Sequence, residues 1–552
     1  MTTNRPKARV RLRRRLLLAT TAALTAGSLV ACATTGAEDA SSDGTTITVL
    51  TPDQASQLSF DAGFVGTTDN FEVLENINAT LIRKPYVEGD QAGTLEQNLY
   101  EFEGLLAESY EVSDDGLVYT FHLREGVMSE HGNELTADDV LWSYQRKFGS
   151  PTSVTPYVVA PAITDPDRQI AVVDDYTVTF TVDREGDGFT LLAVLADVTG
   201  HIYDSDYLKE HATDDDPWAT EWSTGRSDFG YGAYRVESVT EGSEMVLVAN
   251  PDYALGEPEV TRIVRRVVAD PGVRATTLRR GDADVALAMR ATDQASLESE
   301  SSIIVPDAES NNFMVFSPVQ NKAPFDDVEV RRAMAYAIPY DEIVEQTYQG
   351  RATKQNTFLQ SGGEGGSGEP DWTYDPELAA EILADAGYAD GVSFTLSIAS
   401  DNPAMEDAAT QMASFAAEAG FDIEIEKLNP AQFAEGYQTG TFQAHLKTDS
   451  AISLAPPYEL LLYTTPGSSG NLGQYESQEF LDTVNQGIEA GDALSPEAAE
   501  YWNAAQDIWL AQDVANIFVA KIKPIVALSS DLEGWANRTD NCIDYSVLTV
   551  AP

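Results

Sequence analysis

The chain has 552 residues, of which 34 are lysine or arginine, 89 are aspartate or glutamate and two are cysteine. Its formal charge of −55 would repel a phosphate backbone, which excludes nucleic acid as a partner and favours a soluble monomer. Two cysteines are too few for a disulfide framework or a cysteine-based zinc site. The 43% of hydrophobic residues predicts a globular protein, and the chain length predicts two or three lobes.

The first 31 residues have the layout of an export signal. Residues 5–15 contain seven basic residues and no acidic one, and residues 16–30 are apolar or small and uncharged. This apolar segment is shorter than the roughly 20 residues that an ordinary spanning helix needs. Removing the signal leaves 27 basic and 89 acidic residues, a formal charge near −62.

The end of this segment, Leu-Val-Ala-Cys at 29–32, resembles the lipobox of bacterial lipoproteins, whose cysteine is acylated and becomes the new N-terminus. The resemblance implies that Cys32 is lipidated and holds the protein at the outer face of the cytoplasmic membrane. Residues 32–44 are small, polar and acidic, and are expected to form a flexible tether. Three alternatives stay open: a secretory signal in which Cys32 is incidental, an uncleaved anchor, and export by the twin-arginine route.

A strand followed by a helix is predicted between residues 117 and 148. Bulky side chains alternate at Tyr119, Phe121 and Leu123, which indicates a strand with one buried face and His122 on its polar side. Thr136 then has the character of a helix N-cap, with aspartates in the first turn and apolar residues every four positions after it.

Further along, residues 326–350 predict two short helices separated at Pro339 and ended by Gly350. The segment 361–368 contains a formal Gly-x-Gly-x-x-Gly match, but no strand leads into it and no helix start follows. It is therefore expected to be a surface loop and not a nucleotide site.

A βαβ unit is predicted between residues 375 and 426. Asp375 and Pro376 begin a helix that ends at Gly387, and a strand with alternating apolar residues follows at 394–398. A second helix over about 404–420 leads to another alternating strand from Phe421. Strand, helix and strand at this spacing indicate a right-handed parallel crossover, so this half of the chain is α/β.

The patterns of common enzymes are missing from the sequence. The five histidines have no metal-ligand spacing, and neither a Gly-x-Ser-x-Gly elbow nor a Gly-Lys-Ser/Thr phosphate loop occurs. Carboxylates are so numerous that nothing singles out an acid pair for glycoside hydrolysis. We therefore expect a protein that is not an enzyme and holds no metal or cofactor.

Several blocks in order resemble family 5 of the bacterial extracellular solute-binding proteins, the oligopeptide-, dipeptide- and nickel-type receptors of ABC importers. The blocks span nearly all of the chain after the signal. They are the segment from Leu106 through YTFHLREGV to LTADDVLWSYQR, GYGAY at 230–234, NPDY at 250–253, LRRGDADVA at 278–286, PFDDVEVRRAMAYAI at 324–338, YQGRA at 348–352, and Tyr374–Glu377 with Ala386–Tyr388.

The resemblance implies an α/β fold of the two-lobed periplasmic-binding-protein type (cluster C), with an extra domain inserted into the first lobe. The first lobe is expected to be discontinuous, over 45–87, 217–300 and 525–552. The inserted domain would occupy 88–216 and the second lobe 301–524. The partners implied are a peptide or another small-molecule ligand, the subunits of an ABC permease, and the membrane through the N-terminal lipid.

The resemblance also implies site residues in loops between the lobes. Thr67, Thr68 and Asn70 belong to an early loop that approaches the ligand, although Thr-Thr-Asp-Asn is equally good turn chemistry. Tyr231 stands between two glycines that let the backbone approach closely, and it is either a ligand contact or a packed loop aromatic.

Asp449 is the candidate for the ligand's α-ammonium, which peptide receptors of the family bind with an aspartate in a Gly-Trp-x-x-Asp-like loop. Here the segment lacks the tryptophan and places Lys447 beside Asp449, so a turn-capping role is the alternative.

The arginine that dipeptide receptors use for the ligand carboxylate is also missing from 399–403. This favours longer peptides over dipeptides and leaves open an oligosaccharide, with stacking on Trp218, Trp222, Trp372 or Tyr458. Two alternatives from other classes are a secreted hydrolase, and a structural or adhesive surface lipoprotein, for which repeats or a long stalk would be expected and neither is present in the sequence.

Overall fold

The framework of the protein is two large β-sheets of mixed strand direction. The computed structural model describes residues 44–551 apart from 57, 60, 62–67, 154, 161, 356–357, 360–369, 401, 452, 469 and 472. The seven strands of the first sheet, in spatial order, are Tyr234–Thr240, Glu244–Ala249, Val260–Val267, Thr45–Thr51, Val285–Ala286, Ala527–Ser529 and Ile303–Ile304. We call the part of the chain built on this sheet the first lobe.

The six-stranded sheet carries the second lobe. Its strands, in spatial order, are Ala352–Lys354, Ile517–Ile522, Asn312–Pro318, Ala444–Ser450, Val392–Ala399 and Phe421–Leu428. The strands Val392–Ala399 and Phe421–Leu428 run parallel, and the helix Pro403–Ala416 connects them. The βαβ unit predicted from the alternation of apolar residues is confirmed.

A four-stranded antiparallel sheet forms a third unit, which we call the inserted domain together with the helices that cover it. Its strands, in spatial order, are Ala107–Val112, Val118–Leu123, Thr177–Thr181 and Ile170–Asp174. Tyr119, Phe121 and Leu123 are buried, as the alternation predicts. Thr136 and Asp139 form a reciprocal capping box at the start of the helix Ala137–Gly149, which confirms the predicted helix N-terminus.

The remaining strands form small sheets, and helices surround all the sheets. The small sheets pair Trp535–Asn537 with Thr94–Gln97 and Tyr86–Glu88, Ile82–Arg83 with Glu103–Gly104, and Leu532–Glu533 with Thr549–Val550. The other α-helices are Thr68–Ile77, Thr155–Val158, Pro166–Gln169, Gly188–Leu195, Ser205–Glu210, Thr220–Ser223, Pro271–Arg279, Ala291–Leu297, Val328–Ala337, Tyr340–Glu342, Pro376–Asp385, Pro430–Gln438, Pro456–Thr464, Gln478–Glu489 and Pro496–Gln506. The helices predicted over 326–350 and after Asp375 are therefore present, whereas the predicted loop at 361–368 lies outside the described residues.

Each lobe has its own apolar core, and a third cluster connects the inserted domain to the second lobe. This third cluster joins Phe121, Phe180 and Leu195 of the inserted domain to residues such as Phe313 and Tyr463 of the second lobe. The chain is thus an α/β protein of two lobes with an inserted domain. The exact domain limits remain a prediction, and one short strand departs from them: Ile303–Ile304, expected in the second lobe, pairs with Ala527–Ser529 in the sheet of the first.

Two neighbouring segments of chain, 305–311 and 523–526, cross between the large sheets. Lys521 pairs with Glu309 at 3.2 Å, and Lys523 pairs with Asp307. From the second lobe, the buried Arg351 guanidinium donates to the carbonyl oxygens of Pro306 and Pro524, one in each segment. The two segments are therefore bonded to each other and to one arginine.

Candidate functional site

The face of the six-stranded sheet that looks toward the inserted domain carries a row of polar side chains. His445, Lys447 and Asp449 alternate along the strand Ala444–Ser450 and so share one face of the sheet. In the antiparallel register, Asp449 stands opposite Phe313, which belongs to the apolar cluster connecting the second lobe to the inserted domain. The strand register thus brings charged groups to the boundary between the lobes.

Asp449 accepts hydrogen bonds from two donors within its own lobe. Lys447 Nζ lies 2.8 Å from Asp449 Oδ2, and the backbone N–H of Ser450 lies 2.9 Å from Oδ1. The Asp449 charge also acts on Tyr463, whose pKa is raised well above its usual range by burial and by that charge. The Lys447 and Asp449 side chains are each 24% exposed, so the pair remains open to solvent.

The helix Pro456–Thr464 extends from this region and packs against the helices Thr155–Val158 and Gly188–Leu195 of the inserted domain. Tyr458, in its first turn, is buried, and its hydroxyl has no hydrogen-bond partner among the described residues. Burial, together with the negative charges of Asp197 and Asp449, raises the pKa of Tyr458 well above its usual range. The Tyr458 hydroxyl therefore lies in the electrostatic field of one carboxylate from each side of the boundary.

Asp197, on the other side of the boundary, forms a buried ion pair with Lys84. Lys84 Nζ lies 2.7 Å from Asp197 Oδ1, and both side chains are almost completely shielded from water. Burial raises the pKa of Asp197 to about 6, although the Lys84 ammonium acts in the opposite direction. Asp197 Oδ2 accepts no hydrogen bond from any described residue. We call Lys84, Asp197, Lys447, Asp449, Tyr458 and Tyr463 together the interlobe cluster.

Two of the predicted site residues between 67 and 70 lie in a helix. Thr67 and Cys32 are outside the described residues, and Thr68 begins the helix Thr68–Ile77. Asn70 lies in the first turn of this helix, and its buried Oδ1 accepts from the backbone N–H of Ser56 at 3.0 Å. The prediction that Thr68 and Asn70 belong to a loop is thus wrong.

The chain is helical at these residues because the first turn contains a buried, ion-paired aspartate. The carboxylate of Asp69 lies 3.0 Å from Arg265 Nη2, and the Thr51 hydroxyl also donates to it. An acidic residue at this position also interacts favourably with the helix dipole. Whether Thr67, Thr68 or Asn70 contacts a ligand stays a prediction.

Tyr231 is buried in the apolar cluster that connects the inserted domain to the second lobe. The flanking Gly230 and Gly232 pack against the backbone of Ile77 and Asn78 at the end of the helix Thr68–Ile77, which leaves no space for side chains. The carboxylates of Asp139, Asp204 and Asp206 act on the pKa of Tyr231, which burial raises above its usual range. Its contact with a ligand also stays a prediction.

Three of the four aromatics considered for sugar stacking already contact another ring. Trp218 contacts Trp142 at 5.8 Å between ring centroids, Trp222 stacks on His211 at 3.7 Å, and Trp372 contacts Tyr336 at 5.2 Å. Only Tyr458 of this set belongs to the interlobe cluster.

Sequence reasoning missed Lys84, Asp197 and Tyr463. The first two are 113 residues apart and show no local motif, so only the folded chain brings them together. Within the described residues, no group of three or more His, Cys, Asp or Glu side chains is arranged to hold a metal ion. None of the helices in that part of the chain is long and apolar enough to span a bilayer.

Comparison with known proteins connects this architecture to one family. The model of the middle region of the bacterial extracellular solute-binding proteins, family 5, matches residues 101–471. Heme-binding protein A of Haemophilus influenzae is 28% identical over 435 residues, covering 74% of this chain and 77% of that protein. The probable D,D-dipeptide-binding periplasmic protein of Escherichia coli is 25% identical over 463 residues, covering 81% of this chain and 83% of that protein.

Solved structures show the same fold at lower identity. A periplasmic binding protein from Helicobacter pylori in complex with the peptide STSA superposes with a TM-score of 0.77 at 23% identity, covering 92% of this chain and 98% of that one. A binding protein from A. tumefaciens R10 in complex with mannopinic acid gives a TM-score of 0.76 at 22% identity, covering 92% of this chain and all of that one.

Proposed function

The chain belongs to family 5 of the bacterial extracellular solute-binding proteins, and we propose that it is the lipid-anchored receptor of an ABC importer that captures peptides between its two lobes. Among peptides, oligopeptides are preferred to dipeptides. The filled receptor delivers its ligand to the permease, works as a monomer and performs no chemistry on the ligand.

The observation that carries this proposal is the interlobe cluster. The charges of Asp197, from the inserted domain, and of Asp449, from the second lobe, both act on Tyr458, and its buried hydroxyl has no partner among the described residues. Polar groups from two lobes that meet at one place favour the closed state when a ligand bonds to both sides, and closure of this kind is how two-lobed receptors respond to ligands. Asp449 is the site residue that this arrangement supports most directly.

The first experiment is native mass spectrometry of the freshly purified protein without its first 32 residues. We expect an adduct whose mass and fragmentation identify it as a peptide. The released compound, added back, should raise the melting temperature without being converted. At a ligand concentration of 100 times Kd the stabilisation is about 2.7 kcal/mol.

Three other outcomes would contradict the proposal in different ways. An adduct with the mass of a sugar would overturn the peptide assignment and support the oligosaccharide receptor. Conversion of the released compound would support a hydrolase. Absence of any stabilising compound in a screen of peptides and sugars would overturn the receptor function itself.

The lipid anchor rests on residues 29–32 and has a test of its own. Expressed in a bacterial host, the full chain is expected to appear in the membrane fraction with an acylated Cys32 as its first residue. Cys32→Ser should abolish acylation and leave the signal segment attached, which mass spectrometry of the intact chain detects. A soluble wild-type protein with unmodified Cys32 would contradict the anchor.

A further inference from the structure

Both carboxylates of the interlobe cluster already form an ion pair with a lysine on their own side of the boundary. Lys84 lies 2.7 Å from Asp197, and Lys447 lies 2.8 Å from Asp449. A third acid of this region, Glu459, is fully buried and also has a partner of its own. An incoming ammonium would therefore find no carboxylate among these three that lacks a partner.

Lys447 is held in place from two directions. Its position two residues before Asp449 puts both side chains on one face of the strand, because side chains on a strand alternate with a period of two. Its ammonium also lies 5.1 Å from the ring centroid of Tyr437, a favourable cation–π distance. Moving Lys447 aside would break a charge-assisted hydrogen bond as well as this ring contact.

The donors of Lys447 are not all used. An ammonium has three N–H groups, and the carboxylate of Asp449 is the one acceptor that the described residues offer it. The side chain is 24% exposed, so the pair is not sealed off from solvent. A lysine in this position attracts acceptor oxygens, above all a carboxylate, and repels a second ammonium.

We propose that the ligand group received by the Lys447–Asp449 pair is a carboxylate and not an α-ammonium. The inference rests on the proposed receptor function and specifies its ligand. The segment 399–403 has no arginine that could bind a ligand carboxylate. Lys447 then contributes the cation for that carboxylate. The carboxylate belongs either to the C-terminus of a peptide or to a sugar acid.

The test uses one equimolar tetrapeptide library in three forms, with free ends, N-acetylated and C-amidated, and galacturonic acid, a sugar acid without an amine, as a separate probe. Binding is measured as the shift of melting temperature across a concentration series, which yields an apparent Kd. In the wild-type protein we expect the N-acetylated library to bind as tightly as the free one. Amidation of the C-terminus should weaken binding at least tenfold.

Variants of Lys447 test whether this lysine causes the preference for a ligand carboxylate. In Lys447→Met the Asp449 carboxylate loses its cation, so the free-amine library should now bind at least tenfold more tightly than the acetylated one. Lys447→Arg keeps the positive charge and should keep the wild-type preference, which protects the test if the methionine variant does not fold. Lys427→Met is the matched control, because this exposed lysine on the strand Phe421–Leu428 pairs with Glu406 outside the cluster.

The outcomes separate the two proposals. If the wild-type protein binds free-amine peptides at least tenfold more tightly than acetylated ones, the receptor function stands and the inference is wrong. If galacturonic acid binds and no peptide does, the carboxylate inference stands and the peptide assignment falls. If none of the probes binds, the receptor function is overturned and the inference falls with it.

Discussion

Lys84 Nζ lies 2.7 Å from Asp197 Oδ1 at a place where neither side chain meets solvent. Two charges brought together inside a protein have lost their hydration, and each is stabilised mainly by the other. Removing one partner leaves the second uncompensated, which makes the pair a sensitive probe of the boundary between the lobes.

Lys84→Met is therefore expected to be strongly destabilising. Loss of the ammonium leaves the Asp197 carboxylate buried without a cation, which costs about 3–5 kcal/mol of unfolding free energy at pH 7.5. Urea unfolding followed by tryptophan fluorescence measures this loss. The double variant Lys84→Met/Asp197→Leu removes both charges and should recover most of the loss, and an equal loss in both variants would contradict the explanation.

The pH dependence of stability should carry the signature of Asp197. Burial raises the pKa of this carboxyl group to about 6 from an ordinary value of 3.8, so between these values the folded protein binds more protons than the unfolded chain. Its contribution to stability is then complete below about pH 4 and is lost as the pH rises through 6, by about 2–3 kcal/mol in total.

The measurement compares the wild-type protein with Asp197→Asn by urea unfolding from pH 5 to 8. The asparagine has no charge to lose, so the stability of the wild type relative to the variant should fall up to about pH 7 and then stay constant. A difference that rises with pH would mean that the Lys84 ammonium, and not burial, dominates the pKa of Asp197.

Gly232→Ala tests the close approach of the Gly230–Gly232 turn to the helix Thr68–Ile77. A Cβ at Gly232 would lie 2.2 Å from the carbonyl carbon of Ile77 and 2.5 Å from the backbone nitrogen of Asn78. Backbone atoms cannot move aside as a side-chain end can, so we expect a loss of about 2–3 kcal/mol. Gly272→Ala, in the helix Pro271–Arg279, is the control and should be neutral or slightly stabilising, because it meets no backbone atom within 4 Å.

Tyr458→Phe separates a packing role of this tyrosine from a ligand-binding role. The Tyr458 hydroxyl has no hydrogen-bond partner among the described residues, so its removal should not lower the unfolding free energy of the ligand-free protein. The stabilisation produced by the co-purifying ligand should decrease by about 1–3 kcal/mol if that ligand bonds to the hydroxyl.

Tyr545→Phe is the contrasting variant. The Tyr545 hydroxyl donates to the buried Glu72, so its removal should lower the unfolding free energy by about 1.5–3 kcal/mol and leave ligand binding unchanged. Equal ligand stabilisation of the wild type and Tyr458→Phe would exclude Tyr458 as a ligand contact.

Local patterns in the sequence predicted local structure well. The capping residues Thr136 and Asp375 and the alternation in Val392–Ala399 act over a few residues, and the structure confirms each. The opposite holds for the sheet of the first lobe, where Thr45–Thr51 pairs with Val260–Val267 and Val285–Ala286. No periodicity encodes a pairing between strands more than 200 residues apart, and only the family resemblance suggested a discontinuous lobe.

The residues of the candidate site could likewise be predicted only where they are close together in the sequence. Lys447 and Asp449 are two residues apart on a strand, so their proximity follows from the sequence once the strand is recognised. Lys84 and Asp197 become neighbours only through tertiary structure. Asn70 was misplaced because four polar residues favour a turn, whereas burial of the neighbouring Asp69 against Arg265 stabilises a helix there.

The two bonded crossing segments also determine where motion can be observed. Lys521 and Lys523 pair with Glu309 and Asp307 of the other segment. Arg351 bonds to both segments and also to Gln294 and Glu298 of the first lobe, so sliding one lobe past the other would break these bonds, and we expect the lobes to turn about an axis near Arg351 instead. Spectroscopic labels placed beside Arg351 would then stay at nearly constant separation, while labels far from this axis would travel furthest. Arg351 would then mark the fixed point of any closing movement of the two lobes.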